Sequence, residues 1–149
     1  MKITLDEGAY MPEKAHKEDA GFDLRLPSMI DCNGVSVPWG GVQIAPGGSV
    51  FIPTGVHIEL PFGFAAVVMN KSGLAKNKGI ETVLGLVDSG FTGNICVTLK
   101  NNGEKPVAFQ PGDKISQLVV FPISTEPLVQ VDHLEETERG NGGFGSTGK

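Results

Sequence analysis

Apolar and polar residues alternate along much of this chain. In "GVHIELP", Val56, Ile58 and Leu60 alternate with His57 and Glu59. In "NICVTLKN", Ile95, Val97 and Leu99 alternate with Asn94, Cys96, Thr98 and Lys100. A strand turns successive side chains to opposite faces, so both stretches predict strands with one buried face. "VFIPTG", "FAAVVMN" and "ISQLVVFPI" are β-rich and bounded by breakers, which predicts further strands. Only "SGLAKNKGI" suits a helix, of a turn or two. The 21 glycines and 10 prolines keep the apolar segments short. Many short strands between turns predict an all-β domain, a sandwich or barrel. No internal repeat or domain linker interrupts it. The composition changes only at the end, where Glu135 to Glu138 run into a glycine-rich arm.

Composition narrows the picture. A chain of 149 residues suits one compact domain. A hydrophobic share of 40% is enough for a core, and no apolar run approaches the length of a bilayer span. The opening "MKITLDEGAY" lacks the apolar stretch of a signal peptide. The expectation is a soluble, cytoplasmic protein without membrane contact. A net charge of −5 argues against a broad basic surface for nucleic-acid polymers. It leaves room for a small anionic ligand, which needs only a local cluster of donors. Cys32 and Cys96 are the only cysteines, without C-x-x-C spacing or paired histidines, so they give no zinc signature. An intracellular setting disfavours a disulfide, and Cys96 reads as a small packing residue.

Candidate chemistry gathers at strand ends and turns. The last seven residues, Gly143 to Lys149, fit the spacing G-x-x-x-x-G-K. A phosphate-binding P-loop needs a following helix and a Ser or Thr after the Lys, and this sequence offers neither. Glycines still let backbone N–H groups converge on an anion, and Arg139, Ser146 and Thr147 add donors beside the flat face of Phe144. Four more clusters stand out. "AGFDLRL" places Asp23 on a strand following Gly21, near whose start base rates make a lone Asp a turn or solvent residue. "NKSGLAKNKG" brings Lys71, Ser72 and the Gly73 backbone together as donors. "GLVDSGFTGN" ends an apolar strand at Asp88 and presents Phe91 beyond a Ser-Gly turn. "PGDKISQLVV" opens on a turn and places Gln117 in the next strand, where alternation alone turns it to solvent.

Taken in order, "AGFDL", "KSGLA", "GLVDSGFTG", "GDKISQL" and "RGNGGFGSTG" resemble the five motifs of the trimeric dUTP diphosphatases, the dUTPases. They span Ala20 to Gly148, nearly the whole chain. The resemblance implies a jelly-roll-like β-barrel or sandwich at residues 1–138. It implies an arm at residues 139–149 that closes over the nucleotide. It implies a homotrimer with sites shared between subunits. The implied reaction is hydrolysis of dUTP to dUMP and pyrophosphate, which removes dUTP and supplies dUMP for thymidylate synthesis. Mg²⁺ would be bound chiefly by the triphosphate, with Asp23 an outer-shell partner acting through water.

The same resemblance assigns roles. Asp88 would align and activate the attacking water and lie near the sugar 3′-OH. Lys71, Ser72, Gly73 and Gln117 would meet the phosphates, with Arg139, Ser146 and Thr147 on the terminal ones. Phe144 would stack on uracil. Phe91 would pack against the sugar and leave no room for a 2′-OH. A hairpin from Thr82 to Gly85, including Leu84, would read the uracil edge through its backbone. Two residues depart from the family pattern. Lys71 stands where Arg is usual and loses the guanidinium fork. Phe91 stands where Tyr is common and keeps the ring face. A dCTP deaminase would need a Glu at about Thr98, and a hydroxyl cannot shuttle protons as a carboxylate does. A non-catalytic nucleotide-binding module would have no need of Asp88 together with the full donor set.

Overall fold

The computed structural model describes residues 1–32 and 35–142. Every strand pairing in it is antiparallel. The larger sheet runs in the order β10 (Gly85–Asp88), β8 (Phe64–Met69), β13 (Lys114–Pro122), β2 (Gly21–Arg25). A second runs β6 (Ser49–Pro53), β11 (Cys96–Asn101), β9 (Ile80–Val83). Three two-stranded ribbons complete the fold: β1 (Lys2–Leu5) with β7 (Val56–Glu59), β3 (Met29–Cys32) with β4 (Val35–Pro38), and β5 (Val42–Ile44) with β12 (Val107–Phe109). This is the all-β architecture expected from the pattern, in keeping with the jelly-roll-like fold that the resemblance implies. No helix among the described residues is long and apolar enough to cross a membrane.

The alternation holds where it is strongest. Val56 and Ile58 are buried, His57 is half-buried and Glu59 is exposed. Ile95, Val97 and Leu99 are buried, Cys96 and Thr98 half-buried and Lys100 exposed. Inward residues of both main sheets, among them Leu24, Val68, Leu118, Ile52, Ile80 and Val97, join one core cluster. Each such side chain contributes roughly 1.5–3 kcal/mol on leaving water. Cys96 is a free thiol, half-buried beside that core.

The one helix among the described residues, α1 (Ser72–Lys78), follows β8 after two residues. At seven residues it is too short to persist alone, and Leu74 fastens it to the core. It stops at Gly79, whose φ of 66° lies in the left-handed region. A Cβ there would also sit 2.7 Å from the Gly103 backbone nitrogen, so both conformation and space require glycine.

Three expectations need correction. The Thr82–Gly85 hairpin does not form, because β9 pairs with β11 while β10 pairs with β8. Leu84 alone separates the two strands; one residue lets the chain step between sheets but not reverse. Asp23 lies on a strand as read, mid-way along β2, but it is neither a turn nor a solvent residue, being only 5% exposed. Gln117 does not face open solvent. The β13–β2 register shifts between Lys114 and Ser116, so Ile115 and Ser116 are both buried. That bulge resets the alternation and brings Lys114 and Gln117 to one cleft.

Candidate active site

Three segments converge on Asp23. Lys71, at the junction of β8 and α1, places Nζ on Oδ1, and Lys114 of β13 places Nζ 2.6 Å from Oδ2. A buried carboxylate is costly unless paired, and here both oxygens are engaged. These side chains, with Asp19, Gly21 and Gln117, line an open cleft of about 470 Å³. The two ammonium groups balance the carboxylates of Asp23 and Asp19 in formal charge, and they give the cleft two cationic donors that a phosphate ligand could engage.

Burial raises the Asp23 carboxyl, and hydrogen bonds and charge from Lys114 and Lys71 more than reverse this, so its pKa lies below 3.8. A depressed carboxyl contributes stability that is present above its unfolded pKa. That stability is lost as pH falls through the folded value. Asp23→Asn should therefore flatten the acid limb of the stability profile. Urea midpoints measured between about pH 2 and about pH 5 will fall less steeply than in the parent protein. Equal slopes would mean that Asp23 is not held as a carboxylate by its lysines.

Gln117 is fixed beside this pair. Its Nε2 donates to the Asn70 carbonyl at 2.7 Å. Gly21 in "AGFDL" makes the room, since a Cβ there would come within 2.5 Å of Gln117 Oε1. Behind it, Ser116 Oγ donates to the Met69 carbonyl at 2.7 Å, and Thr82 Oγ1 donates to Ser116 Oγ at 3.4 Å. Asn70 Oδ1 accepts from the Thr82 N–H. This network ties the end of β8, β13 and β9 into one support for Lys71 and Ser72. Ser72 and Gly73 are exposed in the first turn of α1. Thr82 is buried, with N–H and hydroxyl both bonded internally, while Leu84 is exposed and Gly85 half-buried.

Asn70, Lys114 and Ser116 were not picked out from the sequence. Asn70 stands beside Lys71 in "NKSGLA" and passes for a turn residue. Lys114 carried no usable signal: three residues before Gln117, regular alternation puts it on the opposite face, and only the bulge brings both to one cleft.

Asp88 ends β10, exposed. The Phe91 N–H donates to its carbonyl at 3.0 Å and closes a turn. The Phe91 ring lies over Gly93 and is 44% exposed. The register sets this turn apart from the Asp23 cleft. Asp88 pairs with Ala65 at one end of β8, and Gln117 pairs with Met69 at the other. Four residues at about 3.3 Å each give about 13 Å along the strands, and two spacings of about 4.8 Å give about 10 Å across. Asp88 and Gln117 of one chain are thus roughly 16 Å apart. Asp23 lies one strand further away.

Arg139 is exposed in a small turn, its Nε donating to the Gly142 carbonyl at 2.9 Å. Phe144, Ser146 and Thr147 lie outside the described residues. No group of three or more His, Cys, Asp or Glu side chains among the described residues is arranged to hold a metal.

Residues 7–148 match the family described as dUTPase. The chain belongs to the dUTPase family. It is 43% identical over 140 residues to a deoxyuridine 5′-triphosphate nucleotidohydrolase of Gloeobacter violaceus, covering 93% of this chain and 88% of the relative. It is 41% identical over 152 residues to the same-named protein of Gloeothece citriformis, covering 99% and 96%. A solved variant of the phage 80alpha dUTPase superposes with a TM-score of 0.84 at 27% identity, covering 97% of this chain and 96% of that one. Another, determined with dUpNHpp, superposes at 0.81 with 26% identity, covering 99% and 98%. As a dUTPase, the chain is an enzyme that hydrolyses dUTP. The deaminase and binding-module alternatives fall away.

Proposed function

We propose that this dUTPase works as a homotrimer and that each active site joins the Asp88 turn of one subunit to the Asp23 cleft of another. The observation that carries this is the separation of roughly 16 Å within one chain. A water attacking the α-phosphorus lies about 3 Å from it, and the groups on either side add about 3 Å each. Base, water, phosphorus and phosphate donors must fit within roughly 10 Å. With the Asp88 and Gln117 backbones roughly 16 Å apart, the two ends are more readily supplied by different chains.

Exposed apolar surface supports assembly. Phe51 and Val83 flank Thr98 on the outer face of the smaller sheet and are 64% and 55% exposed. Leu84 and Leu86 are exposed as well. Beyond β13, Leu128, Val129, Val131 and Leu134 are also exposed, as expected of a segment that packs on a neighbour.

Within such a site Asp88 aligns the attacking water and accepts its proton. The bond from the α-phosphorus to its bridging oxygen breaks, and pyrophosphate leaves. Lys71, Ser72, the Gly73 N–H and Gln117 hold the phosphates. Phe91 packs against the sugar. Backbone groups at Leu84 and Gly85 read the base; with Thr82 internally bonded, its part is to fix that segment. The arm, residues 139–149, closes over the nucleotide, with Phe144 on uracil and Arg139, Ser146 and Thr147 on the terminal phosphates.

The donor set fits a magnesium ion carried by the triphosphate better than one caged by protein. Mg²⁺ keeps several waters and commonly takes only one or two carboxylates besides phosphates. A structural Mg(II) ion is described for the dUTPase from phage phi11 of S. aureus, 26% identical with a TM-score of 0.77. Here Asp23 would accept from metal-bound water while Lys71 and Lys114 turn to the phosphates. When bound, the ion would neutralise charge on the triphosphate. The free Cys96 thiol suits a reducing, cytoplasmic setting.

The test is pyrophosphate release by purified protein with Mg²⁺, comparing dUTP with UTP, dCTP and dTTP. A snug wall against one added group discriminates by roughly 10²-fold, so each of the others should trail dUTP by about that factor. Equal turnover of UTP would remove Phe91 from the sugar site.

A further inference from the structure

The polar face of β7 carries His57, opposite Thr4 of β1. Its ring lies between two oxygens. Nδ1 is 3.0 Å from the Thr92 carbonyl, and Nε2 is 3.2 Å from Asp6 Oδ2. A carbonyl and a carboxylate can only accept. Both contacts are hydrogen bonds only if both ring nitrogens carry hydrogen, which is the imidazolium; a neutral ring keeps one at most. Asp6 Oδ2 also accepts from Asn94 Nδ2 at 3.3 Å, and Asn94 Oδ1 accepts from the Gly55 N–H at 3.0 Å. The start of β7 and the turn after β1 therefore grip the chain at Thr92 and at Asn94. Between and beside these points lie Gly93 and Phe91, in mutual contact.

The charged group in contact with His57 is Asp6. Glu7 follows it along a cleft shared with Asn94. The Lys2–Glu59 pair, closed at 3.0 Å, lies two residues along the same ribbon. Asp88 is the anion on the other side of the turn. Burial pulls the ring's pKa down, and the Thr92 carbonyl and Asp6 more than reverse this, so it is raised above 6.5.

We propose that His57, protonated between Asp6 and Thr92, is a positioning residue for the loop that carries Phe91, and that loss of its second proton loosens that loop and weakens sugar binding. The proposal rests on Phe91 being the sugar contact. A group with a raised folded value contributes fully below about pH 6.5, and its contribution disappears as pH rises through the folded value. The KM for dUTP should therefore rise across that window. Asp88, which sets the chemical step, does not touch the ring, so kcat should not share the midpoint.

The experiment follows pyrophosphate release from dUTP by the full chain between about pH 5 and about pH 9. KM is expected to climb by about three- to tenfold, the effect of one hydrogen bond. His57→Gln, left with a single amide donor, should show the raised KM at every pH, without the step. Ionisation of the triphosphate is common to both proteins and cancels in the comparison. Asp6→Asn should move the step to lower pH. A step that survives unchanged in His57→Gln overturns the proposal. NMR on the wild-type protein gives a readout without turnover or mutation: amide exchange at residues 91–94 should quicken with the same midpoint as the His57 ring titration. Exchange that stays flat through that titration also overturns it. If dUTP is not turned over at all, the reading of the site fails, while ring titration and exchange still decide whether His57 holds the loop.

Discussion

Asp88→Asn will lower turnover of dUTP by about 10²–10⁴-fold and leave binding of the nucleotide nearly intact. The asparagine keeps the size of the aspartate and can still meet the sugar 3′-OH. It cannot accept the proton of the attacking water. Asp88 is exposed at the end of β10, so the change disturbs no core contact. The residues proposed to hold the phosphates lie roughly 16 Å away on the same chain and are untouched. Two measurements check the split: initial rates of pyrophosphate release, and calorimetric binding of dUpNHpp, the nucleotide present with a phage 80alpha relative. Near-normal turnover would remove Asp88 as the base. A loss of binding as large as the loss of rate would make it a sugar-binding residue instead.

The strands could be read from the sequence because a strand with one wet face keeps its period of two. Val56 to Glu59 and Ile95 to Lys100 show this residue by residue. Alternation reports which face is buried but not which strand lies alongside. Nothing in "TVLGLVD" reveals that the chain changes sheets at Leu84, which is why a hairpin was expected there. The bulge at Ile115 was hidden for a related reason, since one extra residue leaves the composition of a strand unchanged. The family was legible through the five ordered motifs, but the partners of the residues in them were not. Asp23 looks like a turn residue until Lys71 and Lys114 are seen to converge on it from distant parts of the chain. Asn70 and Ser116 act through main-chain carbonyls and amides, which leave no mark on residue type. The aspect most remote from the sequence is the separation of Asp88 from the cleft. It follows from which residues face each other across β8, and it motivates the proposal of a site shared between chains.

The proposed sharing of the site yields the second large effect, a recovery of activity. The double variant Ser72→Ala/Gln117→Ala removes two hydrogen bonds to a charged ligand. At roughly 1.5–3 kcal/mol each it should lose on the order of 10²–10⁴ in kcat/KM. Ser72 is exposed, so its truncation leaves the fold alone. Asp88→Asn is similarly inactive through the other half of the site. Co-expressed in equal amounts with distinct tags, the two chains will assemble at random. If each site takes Asp88 from one subunit and the phosphate donors from another, each half is intact about half the time, and about a quarter of the sites are complete. Activity should rise from under about 1% of wild type to about 25%. If base and donors come from the same chain, no mixture contains a complete site, because every chain lacks one half. Trimers confirmed as mixed by their tags, yet no more active than either parent, would place the whole site within one subunit. The roughly 16 Å between Asp88 and Gln117 would then have to close by a movement of β10 against β13.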